Sequence, residues 1–149
     1  MTSTDAPTAG PNEETGRPLV LVVDDYADNR QMYAKFLKYK GLQVAEAEDG
    51  VTALKKAYEL HPDVILMDLS LPGIDGWQAT RELKADPRTR DIPIVVVTGH
   101  ALGGVADSAR AAGCDAFMTK PCAPDEVLSE IHRMLARSSP DSHDRRQRL

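Results

Sequence analysis

Leu19-Val20-Leu21-Val22-Val23-Asp24-Asp25 is a run of five apolar residues followed at once by two carboxylates. An unbroken, valine-rich run of this length is the pattern of a strand buried on both faces, as in a parallel sheet, and not of a strand with one wet face. The arrangement recurs three times: Val64–Met67 leads into Asp68, Ile94–Val97 into Thr98, and Ala116–Thr119 into Lys120. In an open parallel sheet the carboxyl ends of the strands line one crevice, which is where ligands bind. The sequence therefore gathers three carboxylates, a hydroxyl and an ammonium at a single rim.

Working outward, turn signals divide Pro18 to Arg137 into five strand-then-helix repeats. After the first strand, Asp28 with Gln31 reads as a capping box opening a helix whose inward stripe is Met32 and Phe36, Tyr33 and Leu37. Gly41 ends that helix. Gln43–Ala47 is a shorter strand, and Asp49-Gly50 turns into a helix carrying Leu54, Ala57 and Tyr58. The loop Leu71–Gly76 precedes a helix with Trp77 and Leu83. A fourth helix from near Val105 to Ala112 is weakened by Gly99, Gly103 and Gly104 at its start, since a helical glycine costs about 1 kcal/mol relative to alanine. The last helix is strongly specified, with Pro124 at its first position, Asp125 and Glu126 at its positive end, and Val127, Leu128, Ile131, Met134 and Leu135 on one face. Strands alternating with helices predict an α/β fold: a doubly wound, five-stranded parallel sheet with helices on both faces and right-handed crossovers.

Composition narrows the functional classes. A chain of 149 residues holds one ordinary domain, and 42% hydrophobic with 28% charged residues is the balance of a soluble globular protein. A formal charge of −5 offers no basic surface to nucleic acid. No apolar stretch is long enough for a membrane span, and residues 1–17 lack the apolar segment of a secretory signal, which points to the cytoplasm. Residues 1–17 and 138–149 read as disordered extensions around a domain at 18–137. Cys114 and Cys122 fit neither a metal-ligand spacing nor a disulfide framework.

Clustered carboxylates repel one another unless a cation offsets them. Mg²⁺ prefers oxygen ligands and often bridges carboxylate and phosphate. Phosphoryl transfer asks a protein chiefly for positioning and charge neutralisation, and a carboxylate is a known nucleophile for it.

Read together, Asp24-Asp25, Asp68, Thr98, Lys120-Pro121 and the Leu71–Gly76 loop resemble the receiver domain of two-component response regulators, over about Pro18 to Ala136. The resemblance implies the flavodoxin-like, CheY-like (βα)5 fold, with Asp68 as phosphoryl acceptor. It implies Mg²⁺, with Mn²⁺ as an alternative, held by Asp25 and Asp68, by the backbone carbonyl of Ser70, and by Asp24 directly or through water. Lys120 and Thr98 would contact phosphoryl oxygens, and Phe117 would be the switch aromatic that turns inward as Thr98 moves. Ser70 and His100 would flank the phosphoryl group and influence its lifetime.

The expected protein is a stand-alone phosphorelay receiver and not an enzyme beyond its own phosphorylation and autodephosphorylation. Its phosphoryl donor is a histidine kinase or histidine phosphotransfer protein. Its output is a protein-interaction surface near the fourth helix, fifth strand and fifth helix, or onward transfer of the phosphate, because no DNA-binding output domain fits in the short tail. It partners neither nucleic acid nor membrane, and is a monomer or a phosphorylation-dependent dimer. The alternative is a pseudo-receiver, an interaction module that works without phosphorylation. A phosphatase of the haloacid dehalogenase type needs a second Asp two residues after the nucleophile, where Ser70 stands. A flavodoxin-like nucleotide binder needs glycine in the first loop, and Asp24 to Asn29 contains none.

Overall fold

Strands β1 (Leu19–Val23), β3 (Val64–Asp68) and β4 (Ile94–Thr98) are buried at every position, which is why their sequences carry no polar break until the site residues. The computed structural model describes residues 16–69, 76–99, 111–120 and 122–137. Two further strands, β2 (Gln43–Ala47) and β5 (Ala116–Thr119), flank the three and are only partly buried. The five form one parallel sheet in the order β2-β1-β3-β4-β5. The winding of the chain reverses between β1 and β3, so the crevice at their carboxyl ends is the topological switch point.

Helices α1 (Ala27–Tyr39) and α4 (Pro124–Arg137) cover one face, where Tyr33, Leu37, Val127, Ile131 and Met134 pack on Val20, Val22, Leu66, Val95 and Val97. Helices α2 (Gly50–Leu60) and α3 (Gly76–Ala85) cover the other, where Ala53, Ala57, Ala79 and Leu83 meet Leu21, Val23, Ile65, Met67 and Val96. Alternate residues of each strand serve opposite faces, as the pleat requires. The doubly wound α/β architecture is as expected.

Four details differ from the expectations or lie beyond them. Asp28 does not cap α1: the helix starts at Ala27, and its N-cap is Tyr26, whose side chain makes no capping hydrogen bond. Asp24 has already turned the chain, its Oδ1 accepting the Tyr26 N–H at 2.9 Å, so Asp28 falls inside the first turn, where its charge still complements the helix dipole. Met32 is not in the inward stripe but 40% exposed, because Tyr33, Ala34 and Leu37 occupy that face. β3 and β4 each run one residue further than the apolar run, since Asp68 and Val97 are register partners and Thr98 pairs with Thr119. The Leu71–Gly76 loop, apart from Gly76, and the helix expected from Val105 lie outside the described residues, although Ala111 and Ala112 are helical. Both terminal extensions also lie outside them, save residues 16 and 17.

The remaining boundaries follow local chemistry. Gly41 takes a φ of +95°, which lets the chain leave α1 and enter β2. Asp49 caps α2 by accepting the Thr52 N–H at 2.7 Å. No described helix is long and apolar enough to cross a membrane.

Candidate phosphoryl-acceptor and metal site

Two neighbouring strand ends deliver the acidic cluster. Asp24 and Asp25 follow β1, and Asp68 is the last residue of β3, beside it in the sheet. One carboxylate oxygen from each can be chosen so that all three lie within 4.8 Å of one another. Asp24 and Asp68 are 4% and 5% exposed, whereas Asp25 is open to solvent.

Lys120, one residue past β5, reaches over the cluster. Its Nζ lies 3.2 Å from Asp68 Oδ2, to which it donates, and 4.0 Å from Asp24 Oδ2. One ammonium thus faces two buried carboxylates. The Asp24 carboxyl is pushed up to about 6. Burial is the main cause; the hydrogen bond from the Tyr26 N–H works against it, and the neighbouring Asp68 charge adds to it. Close packing, an all-oxygen donor set and surplus negative charge together fit a hard divalent cation such as Mg²⁺.

The backbone around these groups is held from several sides. The Asp24 N–H donates to Ala47 O at 3.1 Å, and the Asp24 carbonyl accepts from Arg30 Nη1 at 2.8 Å. Arg30 is itself aligned by Glu46 at 3.0 Å. The Leu69 N–H donates to Val97 O, which carries the β3–β4 pairing just past Asp68. Gly76, at the start of α3, sits so close that a Cβ there would lie 2.6 Å from Leu69 Cα and collide with the Asp68 carbonyl. Its job is close approach: α3 can pack against the end of β3 only without a side chain at this position.

Thr98 is buried, 3% exposed, at the end of β4, and its carbonyl accepts the Lys120 N–H at 2.7 Å. Phe117 pairs with Val96 in register and is half-buried against the core shared with α2 and α3. Thr98, two residues beyond Val96, falls on that same face of the sheet. The structure thus brings Asp24, Asp25, Asp68 and Lys120 together at one rim, with Thr98 on the adjoining strand end and Phe117 one turn of pleat below it. Ser70 and His100 lie outside the described residues.

Sequence reading missed two neighbours. Arg30 and its partner Glu46 resemble ordinary surface charges, and their pairing across 16 residues has no local signal. Tyr33 reads as plain core; its hydroxyl donates to Cys122 O at 3.3 Å, and its ring joins Asp24, Asp68 and Lys120 in lining a small cavity. A buried tyrosine hydroxyl must find a partner, and that rule was the available hint. Burial holds the Tyr33 hydroxyl well above its ordinary pKa, so it remains a donor.

Known proteins share this arrangement of strands and this sequence. Residues 20–132 match the response regulator receiver domain model. The polar-differentiation response regulator DivK of Brucella ovis is 34% identical over 116 residues, spanning 78% of this chain and 94% of DivK. The phosphate regulon transcriptional regulatory protein PhoB of Escherichia coli is 41% identical over 123 residues; that is 81% of this chain but only 53% of PhoB, so the chain spans about half the length of this relative. Among solved structures, the chemotaxis protein CheY4 of Vibrio cholerae aligns with a TM-score of 0.76 at 29% identity, covering 80% of this chain and 99% of that one. The receiver domain of a Pseudomonas aeruginosa sensor histidine kinase, solved with a magnesium ion coordinated in its active site cleft, aligns with a TM-score of 0.75 at 32% identity, covering 80% and 98%.

Proposed function

This chain belongs to the response regulator receiver domain family, and from that premise we propose that it accepts a phosphoryl group on Asp68 from a phosphohistidine and passes the signal on by protein contact. The donor is a histidine kinase or a histidine phosphotransfer protein, and the readout is a downstream protein. The observation that carries the reading is the convergence of Asp24, Asp25, Asp68 and Lys120, from three separate strand ends, on one partly buried rim.

The geometry supports the following roles. A carboxylate oxygen of Asp68 attacks phosphorus, the P–N bond to the donor imidazole breaks, and the imidazole nitrogen keeps the bonding pair and takes a proton. The product is an aspartyl phosphate, which water later returns to carboxylate and inorganic phosphate. Asp25 and Asp68 would hold Mg²⁺, or Mn²⁺ in its place, with Asp24 helping; the Ser70 carbonyl expected beside them lies outside the described residues. Bound there, the cation neutralises the oxygens of the incoming group and offsets the surplus carboxylate charge.

Lys120, already 3.2 Å from Asp68, has only to shift its ammonium to a phosphoryl oxygen. Phosphorylation adds roughly −1.5 to −2 charges and three acceptor oxygens at Asp68. The Thr98 hydroxyl turns toward one of them, and Phe117, on the same face of the sheet, fills the space that opens. This pair is the switch.

Intact-protein mass after incubation with Mg²⁺ and acetyl phosphate tests the reading. One added phosphoryl group is expected, absent from Asp68→Ala and absent with EDTA. No adduct under conditions that preserve acyl phosphates would refute it and leave the pseudo-receiver, an interaction module that works without phosphorylation.

A further inference from the structure

Lys120 and Cys122 lie between β5 and α4, and each is held by a hydrogen bond to another element. On one side the Lys120 N–H donates to the Thr98 carbonyl at 2.7 Å, fastening the segment to β4. On the other, two residues later, the Cys122 carbonyl accepts the Tyr33 hydroxyl at 3.3 Å, fastening it to α1. The anchor on α1 is firm: Tyr33 is 6% exposed, and its ring sits in the core cluster with Val20, Val22, Leu37, Leu66 and Val97. The same ring walls the cavity that Asp24, Asp68 and Lys120 also line.

We propose that Tyr33 is a positioning residue for phosphoryl transfer, its hydroxyl holding the β5–α4 connection so that the Lys120 ammonium is aimed at Asp68. A lysine side chain has four flexible carbons and many rotamers. An ammonium placed 3.2 Å from one carboxylate and 4.0 Å from another therefore depends on where its main chain is held. Its role is to act through Lys120. Because it sits on α1 beside Asn29 and Met32, which border an open groove with Lys120 and Cys122, it also ties the aim of the cation to the placement of that helix.

The inference rests on the function proposed above, and Tyr33→Phe in the full chain tests it. Phenylalanine keeps the ring in its core seat and removes only the tether. At saturating acetyl phosphate, the rate constant for forming the Asp68 adduct falls about 5- to 10-fold, as expected for one lost hydrogen bond. Mg²⁺ affinity, measured by calorimetry without phosphodonor, stays within about twofold. In a Lys120→Ala background the same substitution has no further effect, because the two act as one unit. Independently of any phosphorylation, the Lys120 side-chain amine resonance, assigned by its loss in Lys120→Ala, moves more than that of any other lysine. An unchanged rate with an unmoved Lys120 resonance overturns the proposal, as does an equal loss in the Lys120→Ala background. If the wild-type chain forms no adduct, the functional reading fails by itself, and the Lys120 resonance alone decides the tether.

Discussion

Replacing Asp24 with Asn is expected to stabilise the metal-free protein while weakening its affinity for Mg²⁺. Asp24 is 4% exposed and its carboxyl is pushed from 3.8 to about 6, chiefly by burial. At about 1.4 kcal/mol per tenfold change in proton affinity, keeping this group ionised at pH 7 costs the folded state about 3 kcal/mol. Asparagine carries no charge, and its Oδ1 can still accept the Tyr26 N–H now held at 2.9 Å. Its amide loses the partial pairing with Lys120 at 4.0 Å, so the net gain expected is about 1–3 kcal/mol. For a domain of this size that is a rise in urea midpoint of about 0.5–2 M.

The sign with pH is fixed by the direction of the shift. A carboxyl with a raised folded pKa binds more protons folded than unfolded between 3.8 and about 6. Wild-type stability therefore rises, on this account, as pH falls through that window, and the advantage of Asp24→Asn shrinks to nothing below it. The assay is urea unfolding in EDTA between pH 4 and 8, followed by the fluorescence of Trp77, the single tryptophan. Adding Mg²⁺ should stabilise wild type more than the variant. An Asn variant less stable than wild type at pH 7 in EDTA, or an advantage that does not vary with pH, would sink the reasoning.

Two structural predictions can be checked by the same unfolding assay. Gly76→Ala places a methyl 2.6 Å from Leu69 Cα and against the Asp68 carbonyl, which should cost about 2–4 kcal/mol by overpacking; it should also slow phosphorylation, since α3 and the acceptor strand must part. Thr89→Val should cost about 1–3 kcal/mol despite conserving shape, because it orphans a buried carbonyl. The Leu83 carbonyl near the end of α3 would ordinarily accept from the residue four places on, but that residue is Pro87, and the Thr89 hydroxyl serves instead at 2.7 Å. A Thr89→Val variant as stable as wild type would mean that another donor reaches Leu83.

Most of the architecture could be read along the chain because its physical cause is local. Runs such as Leu19–Val23 and Ile94–Val97 are apolar at successive positions because those strands are buried on both faces, and the rule that parallel strands point their carboxyl ends to one crevice placed Asp24, Asp25, Asp68, Thr98 and Lys120 together. The start of α1 departs from the sequence pattern for an equally physical reason: Asp28 carries the right side chain for a cap, yet the Tyr26 carbonyl already accepts the Arg30 N–H at 3.0 Å, so the helix begins before Asp28. Met32 and Tyr33 are adjacent and both suit an apolar stripe, and only the packing of α1 on the sheet sends Tyr33 inward and leaves Met32 out.

The sequence by itself determined the strands, their order of use and the chemical inventory of the rim, since periodicity and strand-end residues are properties of neighbours in the chain. Tertiary structure alone decided how that inventory is held. Gly76 is required by a backbone crossing it from β3, Arg30 supports the Asp24 carbonyl from the next helix, and Tyr33 reaches a carbonyl 89 residues away. Contacts between segments distant in sequence depend on where whole elements dock, and no local pattern encodes that.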